Sequence, residues 1–349
     1  MERYRSPRWL PGGNAQTIWP ALFGRRRHGP PMVFRRERWT TPDADFVDAD
    51  WLDAAPGSPG TATTPPEGAS PGLGRPGAQL ADDTTVPLLV MFHGLEGSTK
   101  SHYAQSFADW ARRHGWRFVM PHFRGCSGEL NLGPRAYHSG DFEEIGWMLA
   151  QAKARHAGPI AAVGVSLGGN ALLRWAEEAG DSASSTAKAV AAISSPIDLT
   201  AGGHAIGRGF NRLVYTRMFL RSMKPKALAK LAQHPGLFSR EKLLAARDLY
   251  DFDNVFTAPL HGFRDTDDYW ARGSAKPHLQ RIRIPALVLN ATNDPFVPGS
   301  SLPRAHEVGR HVTLWQPPHG GHVGFPGGRW PGHVMTLPEQ VMGWITRQL

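Results

Sequence analysis

The chain of 349 residues carries a formal net charge of +9, and 41% of its residues are hydrophobic. This length and composition suffice for a large single core, or for a core with an inserted cap. Its single cysteine, Cys126, excludes an internal disulfide, and its longest apolar run, 86–92, is far shorter than the roughly 20 residues that span a bilayer. The first residues contain no apolar stretch typical of a secretory signal, so we expect a cytoplasmic protein.

Positive charge is concentrated near the N-terminus. Residues 1–38 contain nine arginines against Glu2 and Glu37. Such a segment attracts anionic lipid or nucleic acid, or it is simply a solvated basic face. Interleaved apolar residues, among them Trp9 and Ile18, predict that it packs on the core or on another surface. Peripheral membrane contact through this segment is therefore one interpretation, and no nucleic-acid partner is expected.

Strand and helix patterns alternate along most of the chain. Proline, glycine, alanine, serine and threonine dominate 53–83, which predicts a disordered loop between two strands. Around and after this loop, short apolar runs alternate with amphipathic stretches, which is typical of βαβ units. We predict an α/β fold over residues 1–349, as a single domain with about eight strands in a mostly parallel sheet. The predicted strands are 32–39, 45–52, 86–92, 117–123, 159–165, 187–194, 284–291 and 311–317.

One insertion interrupts this alternation. Residues 199–282 separate two predicted strands by far more than a crossover helix requires, and much of the segment has a helical pattern. An insertion at the carboxyl edge of a parallel sheet is a natural cap over a site. Its apolar residues either form the cap's own core or line a substrate site; the candidates for the substrate site are Phe210, Tyr215, Met218 and Phe219, with Val214 and Leu220 beside them.

A nucleophile motif follows the fifth predicted strand. Residues 164–168 read G-V-S-L-G and open a helical stretch, which is the strand–turn–helix context of a nucleophile elbow. The motif predicts Ser166 as the nucleophile and the Leu167 N–H as a donor to an oxyanion. The sequence HGLEGS, 93–98, follows the third predicted strand, where such folds place the second donor. We therefore predict the Leu95 N–H for that role.

A serine nucleophile needs a base and an acid that orients the base. Asp294 follows one predicted strand, and Asp198 follows an earlier one, so spacing alone leaves both acids open. The loop PPHGGHVGF, 317–325, follows the last predicted strand and offers His319 and His322. Two glycines precede His322 and allow its ring to reach the serine, which favours His322 as the base.

Other candidate chemistry has simpler interpretations. The spacing His319-x-x-His322 could bind a metal, but no partner motif accompanies it, so we expect no metal and no cofactor. His93 is interpreted as a hydrogen-bonded structural residue. Cys126 lacks elbow context and is interpreted as a structural thiol.

Several motifs together resemble one known family. HGLEGS, FRGCSGE with YHSGD, GVSLGGN, SPIDL, TAPLHGF with DYW, NATNDPFVP and GGHVGF are similar to the YheT-like branch of α/β hydrolases. The resemblance covers about residues 6–345, and the eukaryotic relatives of that branch have esterase and phospholipase activities. It implies an α/β-hydrolase fold and a triad of Ser166, Asp294 and His322, and so favours Asp294 over Asp198.

The predicted activity is hydrolysis of carboxylic esters through an acyl-enzyme on Ser166. The expected substrates are short- to medium-chain acyl esters or acylglycerol-like lipids. Three alternatives remain open, namely an acyltransferase with the same triad, a phospholipase acting at membrane surfaces, and a non-catalytic binding protein. The sequence does not indicate an oligomeric state.

Overall fold

The computed structural model describes residues 4–52 and 84–349. The loop predicted over 53–83 lies outside these residues. Eight strands form one sheet, as the sequence predicted, and each overlaps a predicted strand. The strands are β1 Arg35–Thr40, β2 Phe46–Leu52, β3 Leu88–Phe92, β4 Arg117–Pro121, β5 Ile160–Val165, β6 Ala189–Ile193, β7 Ala286–Leu289 and β8 Val312–Trp315.

The sheet is mostly parallel. Its strand order is β1-β2-β4-β3-β5-β6-β7-β8, with β1 and β2 antiparallel to their neighbours and every later pair parallel. The carboxyl ends of the parallel strands therefore lie along one edge. Loops after β3, β5, β7 and β8 meet at that edge and build the site described below.

Helices cover both faces of the sheet. Successive strand residues point to opposite sides, so each face carries apolar side chains that a helix can bury. In β3, Leu88, Val90 and Phe92 join one apolar cluster, whereas Leu89 and Met91 join the other. The first cluster includes residues of α3 (Phe142–Ala154) and α4 (Leu167–Ala179), and the second includes residues of α2 (His102–Arg113) and α12 (Thr336–Thr346). The main-body helices are α1 Gly13–Phe23, α2 His102–Arg113, α3 Phe142–Ala154, α4 Leu167–Ala179 and α12 Thr336–Thr346, with 3-10 turns at Gly180–Ser185, Gly299–Ser301 and Ala305–Glu307.

The segment between β6 and β7, which contains the residues predicted to form a cap, is helical. It contains α5 Leu199–Ile206, α6 Gly209–Asn211, α7 Arg217–Gln233, α8 Arg240–Ala245, α9 Leu249–Phe252, α10 Ala258–Leu260 and α11 Thr266–Gly273, then a 3-10 turn at Lys276–Arg281. Two π-helical turns, Arg212–Thr216 and Asp253–Thr257, join α6 to α7 and α9 to α10. Within the described part of the chain, no helix is both long and apolar enough to cross a membrane.

Helix α1 was not predicted. It begins after Gly12 and contains Pro20, and both residue types weaken a helical pattern in sequence. Its side chains Gln16 and Thr17 are nevertheless buried, and Ile18 packs in a cluster with cap residues. The helix is therefore stabilised by tertiary contacts more than by intrinsic propensity.

Candidate active site

The turn between β5 and α4 presents Ser166. This residue has φ 52° and ψ −118°, a strained conformation that only surrounding contacts can hold. Its N–H donates to the Ile193 carbonyl at 2.8 Å. A Cβ at Gly164 would overlap the Gly168 carbonyl, and one at Gly168 would lie 2.5 Å from the His93 carbonyl oxygen. The elbow therefore requires both glycines.

Three side chains meet at the carboxyl edge of the sheet. Ser166 Oγ lies 3.0 Å from His322 Nε2, and His322 Nδ1 lies 2.9 Å from Asp294 Oδ2. The Asp294 side chain is fully buried, and its Oδ1 accepts from the Phe296 N–H at 2.8 Å. This carboxylate favours the tautomer in which Nδ1 donates, so that Nε2 can accept the serine proton. The structure thus brings together the three residues that the sequence singled out.

The two rival candidates lie elsewhere. Asp198 caps α5, where its side chain accepts from the Ala201 N–H at 3.0 Å. His319 is exposed to solvent, whereas His322 is buried. Of the two histidines, His322 is the one whose ring lies within hydrogen-bonding distance of Ser166 Oγ.

Two tyrosine hydroxyls hold the loop that follows β3. The N–H groups on either side of Leu95 donate to Tyr103 Oη at 2.9 Å and to Tyr137 Oη at 3.1 Å. Within residues 4–52 and 84–349, the N–H of Leu95 has no acceptor, and neither has that of Leu167 at the first position of α4. Both residues line the same cavity as Ser166. Their N–H groups are thus available to a ligand, as an oxyanion site requires.

Helix α1 holds the loop that carries His322. Thr17 Oγ1 accepts from the His322 N–H at 2.8 Å, and Gln16 Oε1 accepts from the Gly320 N–H at 2.9 Å. A Cβ at Gly324 would overlap the Gln16 carbonyl, so the loop lies directly against the helix. Sequence reasoning missed this contact. The one available signal was a pair of polar residues, Gln16 and Thr17, within an otherwise apolar stretch.

An apolar cavity of about 160 Å³ lies beside Ser166. A water molecule needs about 10–15 Å³ of such space, so the cavity could hold on the order of ten waters or a small acyl chain. Both the cap and the core contribute to its wall. Prominent apolar wall residues are Ile206, Phe219, Met223, Phe252, Trp270 and Phe296.

Of the four cap residues predicted to line the substrate site, the structure places one, Phe219, on the cavity wall. Tyr215 is buried behind Phe296 and does not itself line the cavity, and Phe210 and Met218 are 51% and 56% exposed. The physical reason is that apolar character alone does not tell the side of a helix that faces a cavity from the side that faces solvent or the core. The same reasoning missed Met223, one turn further along the helix.

One carboxyl group lies in the cap portion of the wall. Asp253 accepts from Thr257 Oγ1 at 2.6 Å and from Trp270 Nε1 at 3.0 Å. Burial raises the pKa of Asp253 to about 6, while these two hydrogen bonds act in the opposite direction. On another part of the wall, Lys226 Nζ pairs with Glu96 Oε2 at 2.9 Å.

Asn170 joins the core to the end of the cap. Its Nδ2 donates to the carbonyls of Ser139 at 2.8 Å and Gly273 at 2.7 Å, and its Oδ1 accepts from the Ala275 N–H at 3.0 Å. The Ser139 N–H in turn donates to Tyr269 Oη at 2.8 Å. The motifs GVSLGGN and YHSGD thus meet beneath the cavity and hold the cap to the sheet.

His93 and Cys126 have structural surroundings, as expected. His93 is buried with Nδ1 2.7 Å from the Gly94 carbonyl, and its Nε2 accepts from the Phe123 N–H at 3.0 Å. Burial lowers the pKa of His93 to about 3, so the ring is neutral. Burial also raises the pKa of the Cys126 thiol to about 12, which makes it a poor nucleophile.

A serine at a strand-to-helix turn of a mostly parallel sheet, followed in chain order by an aspartate and a histidine, defines the class of α/β hydrolases. A family model described as the alpha/beta hydrolase fold matches residues 87–328. The candidate esterase YheT of Escherichia coli (strain K12) is 37% identical over 338 residues, which cover 96% of this chain and 90% of YheT. The chain therefore belongs to the α/β hydrolase family, in the YheT-like branch, as its motifs predicted.

Two further comparisons are more distant. Phospholipase ABHD3 of Mus musculus is 27% identical over 336 residues, which cover 95% of this chain and 75% of that protein. The solved structure of the Pyrococcus furiosus esterase Pf2001 has a TM-score of 0.52 at 14% identity and covers 93% of this chain and 96% of that one. This last likeness concerns the fold alone and agrees with the predicted α/β-hydrolase fold.

Proposed function

We propose that the chain is a serine hydrolase that cleaves carboxylic esters through an acyl-enzyme on Ser166. One observation carries the proposal. The 3.0 Å contact of Ser166 Oγ with His322 Nε2 and the 2.9 Å contact of His322 Nδ1 with Asp294 lie at the edge of an apolar cavity. The names of YheT and ABHD3 as esterase and phospholipase support hydrolysis of ester bonds.

The proposed reaction has two halves. His322 takes the proton of Ser166, and the serine oxygen attacks the ester carbonyl. The N–H groups of Leu95 and Leu167 stabilise the negative charge on the tetrahedral oxygen. His322 then protonates the departing alcohol, and water activated by the same histidine hydrolyses the acyl-enzyme. No cofactor takes part in these steps.

The proposed substrates are short- to medium-chain acyl esters or acylglycerol-like lipids. The acyl chain would lie in the cavity among Phe219, Met223 and Phe252, where burial of CH₂ groups supplies binding energy. Wall residues of the cap thus select the acyl chain, while the core supplies the reacting groups. A cytoplasmic location for this activity stays a prediction from the sequence.

Labelling with a fluorophosphonate tests the nucleophile. The probe phosphonylates an activated serine, so we expect the wild-type chain to be labelled and Ser166→Ala to remain unlabelled. Ser195→Ala is a matched control, because Ser195 is also buried nearby yet has no histidine partner among the described residues. Equal labelling of wild type and Ser166→Ala would contradict the assignment.

A series of p-nitrophenyl esters tests the acyl site. Each CH₂ that becomes buried contributes about 0.8 kcal/mol, so kcat/KM should rise roughly four-fold per CH₂ until the cavity is full and then fall. Met223→Trp should move the optimum to shorter chains, because the larger side chain would occupy part of the cavity. A flat chain-length profile in both proteins would exclude the cavity as the acyl site.

A further inference from the structure

The cap carries apolar side chains on its outer surface. The continuous helical segment 209–233, which comprises α6, the following π-helical turn and α7, is apolar on two sides. One side faces the cavity and the core. On the opposite side, Phe210, Leu213 and Met218 are 51%, 64% and 56% exposed, with Val214 beside them at 37%. Exposed apolar side chains that cluster in this way mark an interaction surface.

The same surface is strongly cationic. Between Leu199 and Arg240 the sequence contains eight lysines and arginines and no aspartate or glutamate, whereas 241–282 contains six cations and seven acids. Four arginines beside the apolar side chains are exposed, namely Arg208, Arg212, Arg217 and Arg221. None of the four forms an ion pair with a carboxylate of the described residues. Their charge is thus uncompensated by the protein.

A groove on this surface gathers the cations further. Arg212, Arg217, Arg221, Lys224 and Arg247 line it together with Leu213 and Leu220, and no acidic residue takes part in the lining. A groove with guanidinium groups and an apolar floor suits a phosphate that is attached to a hydrocarbon.

We propose that this outer face of the cap, defined by Phe210, Leu213, Val214, Met218 and the four arginines, docks on an anionic phospholipid bilayer. A nucleic acid or another polyanion would require the arginines alone and would leave the apolar side chains in water. A bilayer interface uses both, because apolar side chains insert near the acyl boundary while cations contact lipid phosphates.

Docking in this orientation would bring the cavity next to the lipid. Phe219 and Met223 of the same helical segment line the cavity beside Ser166. Aromatic side chains connect the docking face to the cavity wall. The ring centroid of Tyr215 lies 6.2 Å from that of Phe210 on the docking face and 4.5 Å from that of Phe296 on the wall. The inference concerns membrane binding, which does not require the proposed reaction and is tested without it.

Vesicle co-sedimentation tests the docking face, with Ser166→Ala as the background so that lipids stay intact. We expect binding to phosphatidylcholine vesicles that contain phosphatidylglycerol, and weak binding to phosphatidylcholine alone. Replacing Arg212, Arg217 and Arg221 by glutamine should lower the partition coefficient roughly 100-fold, on the order of five-fold for each cation. Leu213→Ser with Met218→Ser should lower it about 10-fold. Unchanged melting temperatures would verify that the variants fold.

The basic N-terminal segment provides a matched control, since Leu22 is 62% exposed and Arg25 and Arg27 lie beside it in sequence. Leu22→Ser with Arg25→Gln and Arg27→Gln should bind vesicles as the background protein does. Loss of binding in this variant alone would move the docking site to the N-terminus and overturn the proposal. So would an absence of binding to anionic vesicles, or a loss caused by the arginine variant but not by the apolar one, which would indicate a general polyanion site.

Discussion

At the scale of single residues, the loop 317–325 gives two histidines different surroundings. His322 is held between Ser166 and Asp294, whereas His319 is exposed on the same loop. The two residues are three positions apart, yet the His322 ring has two polar partners and the His319 ring is in solvent. The difference arises from Gly320 and Gly321, which have φ 149° and 62° and turn the backbone inward.

Substitution of these two histidines tests their roles. We expect His322→Ala to lower kcat by on the order of 10⁴-fold or more, because the base of a triad acts as a unit with its serine. His319→Ala, the matched control, should remain within about two-fold of wild type, like other surface substitutions away from a site. Steady-state kinetics with a soluble ester measures both. Activity that survives in His322→Ala but not in His319→Ala would reverse the assignment.

Asp253 predicts a pH dependence of stability. Burial raises the pKa of Asp253 from 3.8 to about 6, so the folded chain binds this proton more tightly than the unfolded chain does. The contribution to stability is therefore present near pH 4 and is lost as pH rises to about 6. At 1.36 kcal/mol per pH unit, the loss amounts to at most about 3 kcal/mol, and access of water to the cavity would reduce it.

Asp253→Asn removes this titration while keeping a polar side chain of similar shape. The free energy of unfolding of the wild type, measured in urea, should fall relative to Asp253→Asn between pH 4 and pH 6 and run parallel to it above. Asp251→Asn is a control at a partly exposed carboxyl group in α9, two residues earlier. A constant difference between wild type and Asp253→Asn across this pH range would show that the carboxyl group does not titrate there.

At the scale of elements, α1 acts as a support for the histidine loop. It lies outside the sheet, yet Thr17 Oγ1 accepts from the His322 N–H and bonds the Gly13 carbonyl at 2.7 Å. This double contact fixes the backbone of the base relative to a helix. Thr17 is therefore a positioning residue, which acts through His322 and does not reach Ser166.

Thr17→Val keeps the shape of the side chain but removes both hydrogen bonds. An unpaired buried N–H costs about 1–3 kcal/mol, and the loop would shift to relieve it. Because misplacement of about 1 Å can cost 10²-fold in rate, we expect kcat to fall by roughly 10- to 100-fold with KM nearly unchanged. Active-site titration would separate slow turnover from loss of folded protein.

Thr17→Ser supplies the control, since its hydroxyl can restore both bonds. We expect kcat within about three-fold of wild type, the difference that loss of one methyl group allows. If Thr17→Ser were as slow as Thr17→Val, the methyl group rather than the hydrogen bonds would carry the effect.

The elements also show which features a sequence pattern can predict. All eight strands were predicted from strand-like segments, because local periodicity reports which residues face a core. Motifs at strand ends indicated Ser166 and His322, whereas the choice of Asp294 over Asp198 came from the family resemblance. The support from Thr17 did not follow, because that contact spans 305 positions. The exposure of Phe210 and Met218 did not follow either, because their apolar character does not say which side of a helix they occupy.

At the scale of the whole molecule, a few buried polar contacts hold the cap to the sheet. Asn170 alone bonds to Ser139 and to Gly273 and Ala275, which lie in two other segments of the chain. All three bonds are buried, so their loss leaves carbonyl and N–H groups without water. Cap and sheet are therefore expected to unfold together.

Asn170→Ala tests this coupling. We expect the free energy of unfolding to fall by about 3–5 kcal/mol, because three buried backbone groups lose their partners. Asn211→Ala is the matched control, since Asn211 bonds two carbonyls at the partly buried surface of the cap, and about 1 kcal/mol is expected there. Urea denaturation followed by tryptophan fluorescence measures both. Equal losses in the two variants would argue against Asn170 as the joint.

The bond from Thr17 to His322 also sets the time at which the site can form. Thr17 is translated before His322, and 305 positions separate the two residues. At about 5–20 residues per second, roughly 15–60 seconds separate the two events. Under the proposed function, Ser166 remains without its base while the next 156 residues are translated, so the nascent chain is unreactive until His322 has been made.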